Sequence, residues 1–325
     1  MAYGRLAIAA GHFHFFHRVP SLIAQQRGYF KQEGLLEVEI TAPGEDELSL
    51  RDLKLKRIDI ELDLRATMAL GENSKGEDIY IIGAFINGLA LSFFGAKEIN
   101  SIEDLKGKRI GLGEKGGAID ARLIKILLAK HGIDPDRDVS YVLDKGWPSL
   151  ENQGSRLDRG DYQGATLIGP YVQQAIDAGY NHLADFEEAY PDGYPHRVTV
   201  TSGRIIKDYP EMLKAFCKAT IRAYRFCRNE KNWGEVRELI ERYPWERDFG
   251  WQKFDRSTLK TPYLGFRYVP ADGLPSMKGL EVMVAEDKAS GRLPQTYTTD
   301  QILRLDFMEE AAKEIDARYG PEGYE

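Results

Sequence analysis

Short apolar runs alternate along the whole chain with longer segments of helical periodicity. Some runs are rich in Ile, Leu and Val and are flanked by Gly, Pro or Asp residues. Such runs predict buried strands. The strands predicted in this way are residues 5–10, 38–41, 58–60, 79–86, 108–113, 139–143, 164–168 and 198–202. Apolar positions three and four residues apart predict helices over 21–26, 45–56, 118–131, 210–229, 232–243, 276–290 and 299–317. This alternation predicts an α/β fold with mostly parallel sheets that helices cover.

Length and charge narrow the class of protein. The 325 residues exceed what one hydrophobic core ordinarily holds, so two lobes are predicted. The net charge of −7 argues against a nucleic-acid partner. No run of about 18 apolar residues predicts a transmembrane segment. The first residues do not form a signal peptide, so we expect a periplasmic or extracellular protein if a leader was removed and a cytoplasmic protein otherwise.

Five segments carry a resemblance to a known family. They follow one another in the family's order and are residues 20–40, 99–117, 157–180, 206–226 and 291–302. Among their motifs are Gly28-Tyr-Phe with a later Glu-Gly-Leu, and Asp104-Leu-Lys-Gly-Lys-Arg-Ile. Together they resemble the type II solute-binding proteins of the SsuA/THI5-like (NMT1) group.

The resemblance implies a two-lobed periplasmic-binding-protein fold of type II, in which each lobe is a mostly parallel sheet with helices on both faces. Lobe 1 would combine residues 1–93 with 202–325, and lobe 2 would be 94–201. Hinge strands would lie near 92–96 and 198–203. A small molecule would bind in the cleft between the lobes, outside the carboxyl ends of the strands, and hinge closure would enclose it.

The most unusual segment, residues 11–20, holds half of the six histidines and is predicted to be a loop. His12 and His14 share a face if the segment is extended, and His17 joins them after a turn. Three interpretations stay open: a polar ligand-binding loop, a metal or catalytic site, and histidines packed among aromatic rings. Arg18 is placed with the three histidines among the ligand-binding residues. No cofactor is predicted, and Zn or Fe bound by these histidines is the alternative.

Charged residues after two further strands extend the candidate site of lobe 1. Glu45 lies in an acidic helix N-terminus, which would suit ligand hydroxyl or N–H groups or simply complement the helix dipole. Glu61, Asp63 and Arg65 alternate, so they share one face if the chain is extended. Arg65 is expected to clamp a carboxylate or sulfonate, with Asp63 as its partner or as a base. Asn87 precedes the hinge and is expected to hydrogen-bond the ligand.

In lobe 2, a glycine-rich turn follows a predicted strand. Gly116 and Gly117 would let backbone N–H groups approach an anion. No Gly-Lys-Ser or Gly-Lys-Thr follows, so nucleotide hydrolysis is not expected. Trp147 and Tyr171 are expected to supply aromatic walls.

Two kinds of function fit these residues. The favoured one is the substrate-binding component of an ABC-type transporter, whose partner is a membrane component and whose ligand is a small anionic, aromatic or heterocyclic molecule. The alternative is a cytoplasmic enzyme on the same fold that decarboxylates or hydrolyses a small acid. The chain lacks the cysteine-rich iron motif of the THI5-type synthases and the first-loop cysteine of the sulfinate desulfinases, so these two chemistries are disfavoured. The alternative would use His14, His17, Asp63 and Arg65.

Overall fold

The chain divides into two compact units, each with its own sheet. The structure, a computed structural model, describes residues 4–10, 15–113, 117–144, 153–169, 171–243, 262 and 264–325. As far as it is described within these bounds, unit 1 comprises Met1–Asn87, Gly193–Pro262 and Phe266–Glu325, and unit 2 comprises Gly88–Asp192 with Tyr263–Gly265.

The described strands have these bounds: β1 Leu6–Ala9, β2 Val38–Thr41, β3 Ile60–Arg65, β4 Tyr80–Ile86, β5 Leu91–Gly95, β6 Arg109–Gly113, β7 Ser140–Asp144, β8 Gly164–Ile168, β9 Asn181–Asp185 and β10 Arg197–Thr201. The described α-helices are α1 Phe15–Gln26, α2 Tyr29–Gln32, α3 Asp46–Lys54, α4 Ala66–Asn73, α5 Gly117–Lys130, α6 Ser155–Asp158, α7 Tyr171–Asp177, α8 Phe186–Ala189, α9 Gly203–Asp208, α10 Pro210–Arg228, α11 Trp233–Arg242, α12 Met277–Ala289 and α13 Asp306–Tyr319. None of these helices is long and apolar enough to cross a membrane.

The sheet of unit 1 has the order β2-β1-β3-β10-β4. Strand β1 pairs in parallel with β2 and β3, whereas β10 is antiparallel to both β3 and β4. The carboxyl ends of β1, β2, β3 and β4 therefore share one edge of the sheet with the beginning of β10. Arg197, the first residue of β10, pairs with Arg65 at the end of β3 and with Ile86 at the end of β4.

The sheet of unit 2 repeats this plan with the order β7-β6-β8-β5-β9. Strand β6 pairs in parallel with β7 and β8, and β5 runs antiparallel to β8 and β9. Each unit thus has one antiparallel strand in a sheet that is otherwise parallel. The predicted mixed α/β fold with two mostly parallel sheets flanked by helices is confirmed.

The first helix begins earlier than the sequence predicts. Residues 15–20 belong to α1, although the prediction made them part of a loop and made Ser21 the helix cap. The Ser21 hydroxyl instead donates to the carbonyl of Arg18 inside the helix, 2.8 Å away. Phe16, Val19 and Ile23 lie on one helix face and are all buried. Burying this apolar face outweighs the hydrogen bond that Pro20 cannot donate.

Strand β3 also differs from its prediction. A short strand was expected at residues 58–60 with a charged loop after it, but the strand runs from Ile60 to Arg65. Leu62 and Leu64 are buried and alternate with Glu61 and Asp63, which are buried as well. Apolar side chains on one face of the strand carry the acidic residues into the interior on the other face.

The unit boundaries differ from the predicted lobe boundaries. The units divide between residues 87 and 88 and between 192 and 193, whereas the sequence placed the divisions at 93/94 and 201/202. Strand β5 hydrogen-bonds within the sheet of unit 2, and β10 within the sheet of unit 1. The sequence did not predict β9 as a strand, and it predicted β5 only as a hinge strand near residues 92–96. The predicted helix 299–317 begins only at residue 306, because Leu303 forms a bridge to Ile81 of β4.

Candidate functional site

Ionisable side chains converge at the carboxyl edge of the sheet of unit 1. Helices α1, α3 and α4 each follow a strand that ends there, and β10 begins there. Six residues from α1, α3, β3 and β10 make up what we term the edge cluster: His17, Asp46, Glu61, Asp63, Arg65 and Arg197. The carboxyl edge of parallel strands is where α/β proteins bind their ligands.

His17 and Asp63 form the innermost pair of the edge cluster. His17 Nδ1 lies 2.8 Å from Asp63 Oδ2, and the side chains are 11% and 1% exposed. Burial lowers the pKa of His17, and Asp63 offsets this only in part. Burial alone would raise the pKa of Asp63, but His17, Glu61 and Arg197 outweigh it and hold that pKa below its ordinary value. A neutral His17 with its proton on Nδ1, next to an ionised Asp63, fits both shifts.

Glu61 lies next to this pair, and its pKa is raised, whereas the pKa values of His17 and Asp63 are lowered. Burial and the charge of Asp63 raise its pKa well above the ordinary value, although the Ser49 hydroxyl opposes the shift. Its Oε1 accepts a hydrogen bond from the backbone N–H of Asp63 at 3.2 Å. Its Oε2 is buried and has no hydrogen-bond partner among the described residues. A protonated Glu61 beside an ionised Asp63 is the arrangement expected of two close carboxyl groups.

Asp46 joins two arginines at the N-terminus of α3. Its Oδ1 accepts from Arg197 Nη1 at 2.6 Å, and its Oδ2 accepts from Arg65 Nε. Arg197 and Asp46 are both 4% exposed, whereas Arg65 is 41% exposed and reaches the exposed Glu47 as well. Arg197 Nη1 also donates to the backbone carbonyl of Asp63 at 3.1 Å. Asp46 thereby links β3, α3 and β10 through charge-assisted hydrogen bonds.

Aromatic rings pack against the edge cluster. Phe16 lies 5.2 Å from Phe85 and 4.9 Å from Phe266, measured between ring centroids. The His17 ring lies 5.7 Å from Phe85, and the ring of Tyr224 of α10 also lies 5.7 Å from Phe85. Burial raises the pKa of Tyr224, so its hydroxyl stays protonated.

His196 and Asn87 lie at the same edge. Burial and the charge of Arg197 lower the pKa of His196 well below its ordinary value. The Asn87 side chain donates to the carbonyl of Leu274 at 2.8 Å and accepts from the N–H of Ser276 at 3.0 Å. The structure thus uses both polar atoms of Asn87 to hold a neighbouring segment of unit 1, and its predicted contact with ligand stays a prediction.

The other predicted site residues are spread over the two units. Arg18 is buried, and its Nη2 donates to the carbonyl of Ile40 at 3.2 Å. Glu45 is exposed and precedes α3. In unit 2, Gly117 begins α5 and Tyr171 begins α7. The remaining predictions lie outside the described residues; they concern His12, His14, Gly116 and Trp147.

Metal binding has no support within the described residues. No group of three or more His, Cys, Asp or Glu side chains in that part of the chain is placed to hold a metal ion. Zinc sites commonly use three or four such ligands. A metal bound by His12, His14 and His17 stays a prediction.

Three members of the edge cluster, Asp46, Glu61 and Arg197, were not predicted to contact ligand, although Glu61 was expected to share a face with Asp63 and Arg65. Asp46 was seen only as part of an acidic helix N-terminus, from which Glu45 was chosen. Arg197 lies at the beginning of a predicted strand, where ligand contacts are not expected in a parallel sheet. Because β10 is antiparallel, its first residue lies at the edge where the other strands end. A prediction of strand direction would have supplied the missing signal.

Unit 2 buries a single acid near the corresponding edge of its sheet, within the described residues. Asp120 lies in the first turn of α5 and is 3% exposed. Burial raises its pKa to about 7, opposed only by a hydrogen bond with Thr166 of β8. Its Oδ2 has no hydrogen-bond partner in the described part of the chain.

Comparisons with known proteins agree with this architecture. The family profile described as NMT1/THI5 like matches residues 16–232. YtlA of Bacillus subtilis (strain 168), named as a binding protein, is 23% identical over 309 residues, which cover 93% of this chain and 88% of YtlA.

Two solved structures share the fold at low sequence identity. The periplasmic aliphatic sulphonate binding protein SsuA from Escherichia coli has a TM-score of 0.66 at 13% identity, covering 92% of each chain. The desulfurization enzyme DSZB, in a mutant form bound to biphenyl-2-sulfinic acid, has a TM-score of 0.68 at 14% identity and covers 95% of this chain and 99% of its own. The family profile matches about two thirds of the chain, and the chain therefore belongs to the NMT1/THI5-like family.

Proposed function

We propose that this protein is the solute-binding component of an ABC-type import system and holds a small organic molecule at the carboxyl edge of the sheet of unit 1. The observation that carries the proposal is the edge cluster, in which buried acids and bases from four separate elements meet at one edge. SsuA, with the same fold, and YtlA, a relative over most of its length, are both described as binding proteins.

The cost of burying charge supports a functional cluster. Apolar side chains of similar volume would often stabilise such a position as well as, or better than, a buried ion pair. Asp46, Asp63 and Arg197 are each at most 4% exposed, so their desolvation is nearly complete. Charged groups whose burial costs this much desolvation free energy are commonly retained at binding sites, where they orient a ligand.

The chemistry of the edge cluster favours a small anionic, aromatic or heterocyclic ligand. Phe16 and Phe85 pack against His17 and make its surroundings apolar. Arginines supply donors for an acid, and the carboxyl groups of Glu61 and Asp63 supply one donor and several acceptors. Completion of the site by the second lobe stays a prediction.

The proposed setting follows from the binding role. A solute-binding component works outside the cytoplasm and delivers its ligand to a membrane component of the transporter. We therefore propose a membrane-embedded permease as the partner. The net charge of −7 disfavours nucleic acid as a second partner.

A second candidate function is an acid–base enzyme, favoured by one specific observation. Neutral His17 lies 2.8 Å from ionised Asp63, and the protonated Glu61 lies beside them. General acid–base catalysis commonly uses a base that a carboxylate orients, with a proton donor nearby. Decarboxylation or hydrolysis of a small acid would suit these groups.

A thermal-shift screen of the purified chain separates the two functions. The panel consists of aliphatic and aromatic carboxylates, sulfonates and pyrimidines, each with and without Zn²⁺ or Fe²⁺. A ligand that binds only the folded state raises the melting temperature, by an amount that grows with its concentration. Stabilisation by an organic molecule that chromatography recovers unchanged supports the receptor.

The other outcomes of the screen are equally informative. Consumption of a stabilising compound, abolished in His17→Gln without loss of stabilisation, supports the enzyme. Stabilisation only in the presence of a metal supports the histidine segment, residues 11–20, as a metal site. If no member of the panel raises the melting temperature, the proposal of a small-molecule site is contradicted.

A further inference from the structure

Two arginines share Asp46, but they use their donors differently. Arg65 donates from Nε to Asp46 and from Nη2 to Glu47, so both groups on one side of its guanidinium have carboxylate partners. It is also 41% exposed, which lets water satisfy its remaining donors. The sequence analysis chose Arg65 as the acid clamp, yet the protein itself already occupies that side of the guanidinium.

Arg197 has an unused side. Both of its hydrogen bonds within the described residues run from Nη1, one to Asp46 at 2.6 Å and one to the backbone carbonyl of Asp63 at 3.1 Å. Its Nε is buried and has no hydrogen-bond partner among those residues. The side chain is only 4% exposed, so bulk water does not replace that partner.

An unpaired donor on a buried charged group lowers the stability of the folded protein. A guanidinium carries five N–H donors, and leaving one of them buried without an acceptor costs its full desolvation energy. The nearby carboxylates are committed elsewhere, because Asp63 faces His17 at 2.8 Å and Asp46 is shared with Arg65. The missing acceptor is therefore an oxygen that the described part of the chain does not provide.

We infer that Arg197 is the residue that recognises the acidic group of the ligand, through its Nε side, while Asp46 holds the Nη1 side in place. The inference rests on the proposed function, because it assigns a contact to the same site. A planar guanidinium with one side fixed suits a carboxylate or sulfonate oxygen. The ligand class is a small organic monoanion.

The test compares Arg197→Lys with the matched control Arg65→Lys. Both lysines can keep an ion pair with Asp46, but neither has an Nε–H donor. The probes are three acids with neutral counterparts: benzoate and benzamide, methanesulfonate and dimethyl sulfone, orotate and uracil. Calorimetry on the folded variants gives each affinity, and thermal melts confirm that the variants are folded.

We expect the unaltered chain to bind at least one acid more tightly than its neutral counterpart. Arg197→Lys should weaken binding of that acid by about 10- to 100-fold, the loss expected for one charge-assisted hydrogen bond. It should leave the neutral counterpart unchanged within about threefold, and its loss of affinity for the acid should be at least about threefold larger than that of Arg65→Lys.

A measurement on the unaltered chain covers the case in which Arg197→Lys does not fold. In protein labelled with ¹⁵N-arginine, the Nε–H resonance of Arg197 should shift when the acid is added and stay in place with the neutral counterpart. The Arg65→Lys spectrum identifies the Arg65 signal, which should not move.

Three results overturn the inference or its basis. Tighter binding of the neutral counterpart, or equal losses in the two lysine variants, contradicts the role of Arg197 and leaves the proposed function intact. A static Arg197 Nε–H signal at saturating acid does the same. Absence of binding by all six probes contradicts the proposed function itself, and the inference with it.

Discussion

Both units bury acidic side chains near the carboxyl edge of their sheets. In unit 1 opposite charges compensate the buried acids, whereas in unit 2 burial raises the pKa of the acid. In unit 1, Asp46 pairs with Arg65 and Arg197, and Asp63 lies beside His17, which together with Glu61 and Arg197 holds the pKa of Asp63 below its ordinary value. In unit 2, only burial and a hydrogen bond with Thr166 affect the pKa of the Asp120 carboxyl, which rises to about 7.

The comparison teaches that burial alone does not decide the protonation state of an acid. A buried carboxylate is stable when opposite charges and donors replace its hydration, and it takes up a proton when they do not. Unit 1 therefore keeps fixed charges at the proposed ligand site at neutral pH, whereas Asp120 changes its charge near neutrality. Three substitutions, each with a matched control, test this difference between the units.

Asp46→Ala should produce the largest loss of stability, because it removes the carboxylate from Arg197 and leaves a buried guanidinium without its counter-ion. We expect the free energy of unfolding to fall by about 3–5 kcal/mol, as for other buried pairs that lose one partner. Urea denaturation followed by circular dichroism measures it.

The matched control is Glu47→Ala, since Glu47 also pairs with Arg65 but its side chain is 63% exposed. Glu47→Ala should lower the free energy of unfolding by less than about 1 kcal/mol. Equal costs for the two substitutions would show that Asp46 does not compensate a buried charge.

Asp120→Asn should change how stability depends on pH. The folded pKa is about 7 and the ordinary value 3.8, so between these values the native state keeps a proton that the unfolded chain has released. Stability contributed by this group is therefore present at low pH and lost as pH rises through that window, by as much as about 4 kcal/mol. The asparagine variant should lack this loss, and urea denaturation at a series of pH values measures it.

Asp134→Asn supplies the control for this titration. Backbone and Arg137 hydrogen bonds hold the pKa of the half-buried Asp134 below its ordinary value, so its contribution is lost only when pH falls. In that variant, as in the unaltered protein, the free energy of unfolding should still fall as pH rises from about 4 to about 7. An unchanged decline in Asp120→Asn would disprove the titration of Asp120 in this range.

His17→Ala should have the smallest of the three effects. Asp63 loses the ring nitrogen 2.8 Å away but keeps the charge of Arg197 nearby, so we expect a loss of about 1–3 kcal/mol. Thermal and urea unfolding measure it.

The exposed His131, which lies 2.7 Å from Glu103 in unit 2, is the matched histidine. His131→Ala should cost less than about 1 kcal/mol. If the two alanine variants unfold alike, the contact between His17 and Asp63 contributes nothing beyond a surface pair.

Much of the fold could be predicted from local patterns. The bounds of β2 and β8 agree with prediction, and α10 differs by one residue at its end. Their signals are apolar runs and helical spacing, which depend only on neighbours along the chain. Helix α1 was predicted too short, because its first turn is stabilised by burying Phe16 and Val19 against distant parts of the chain.

The candidate site was predicted in part. The alternating Glu61, Asp63 and Arg65 were expected to share a face, and strand β3 places them in alternation on one face of the sheet. The pattern did not predict that the two acids would be buried, since acidic residues at period two are ordinarily exposed. Predictions that concern His12 and His14 lie outside the described residues.

The alternation of strands with helices, the α/β class and the charged face of β3 follow from the sequence alone, because each depends on the identity of near neighbours. Which charges meet depends on the packing of distant segments. Asp46 and Arg197 are 151 residues apart and are joined because β10 returns antiparallel beside β3. The pKa values of Asp63, Glu61 and His17 depend on that meeting as well, since desolvation and charge at close range are properties of the packed interior and not of the chain.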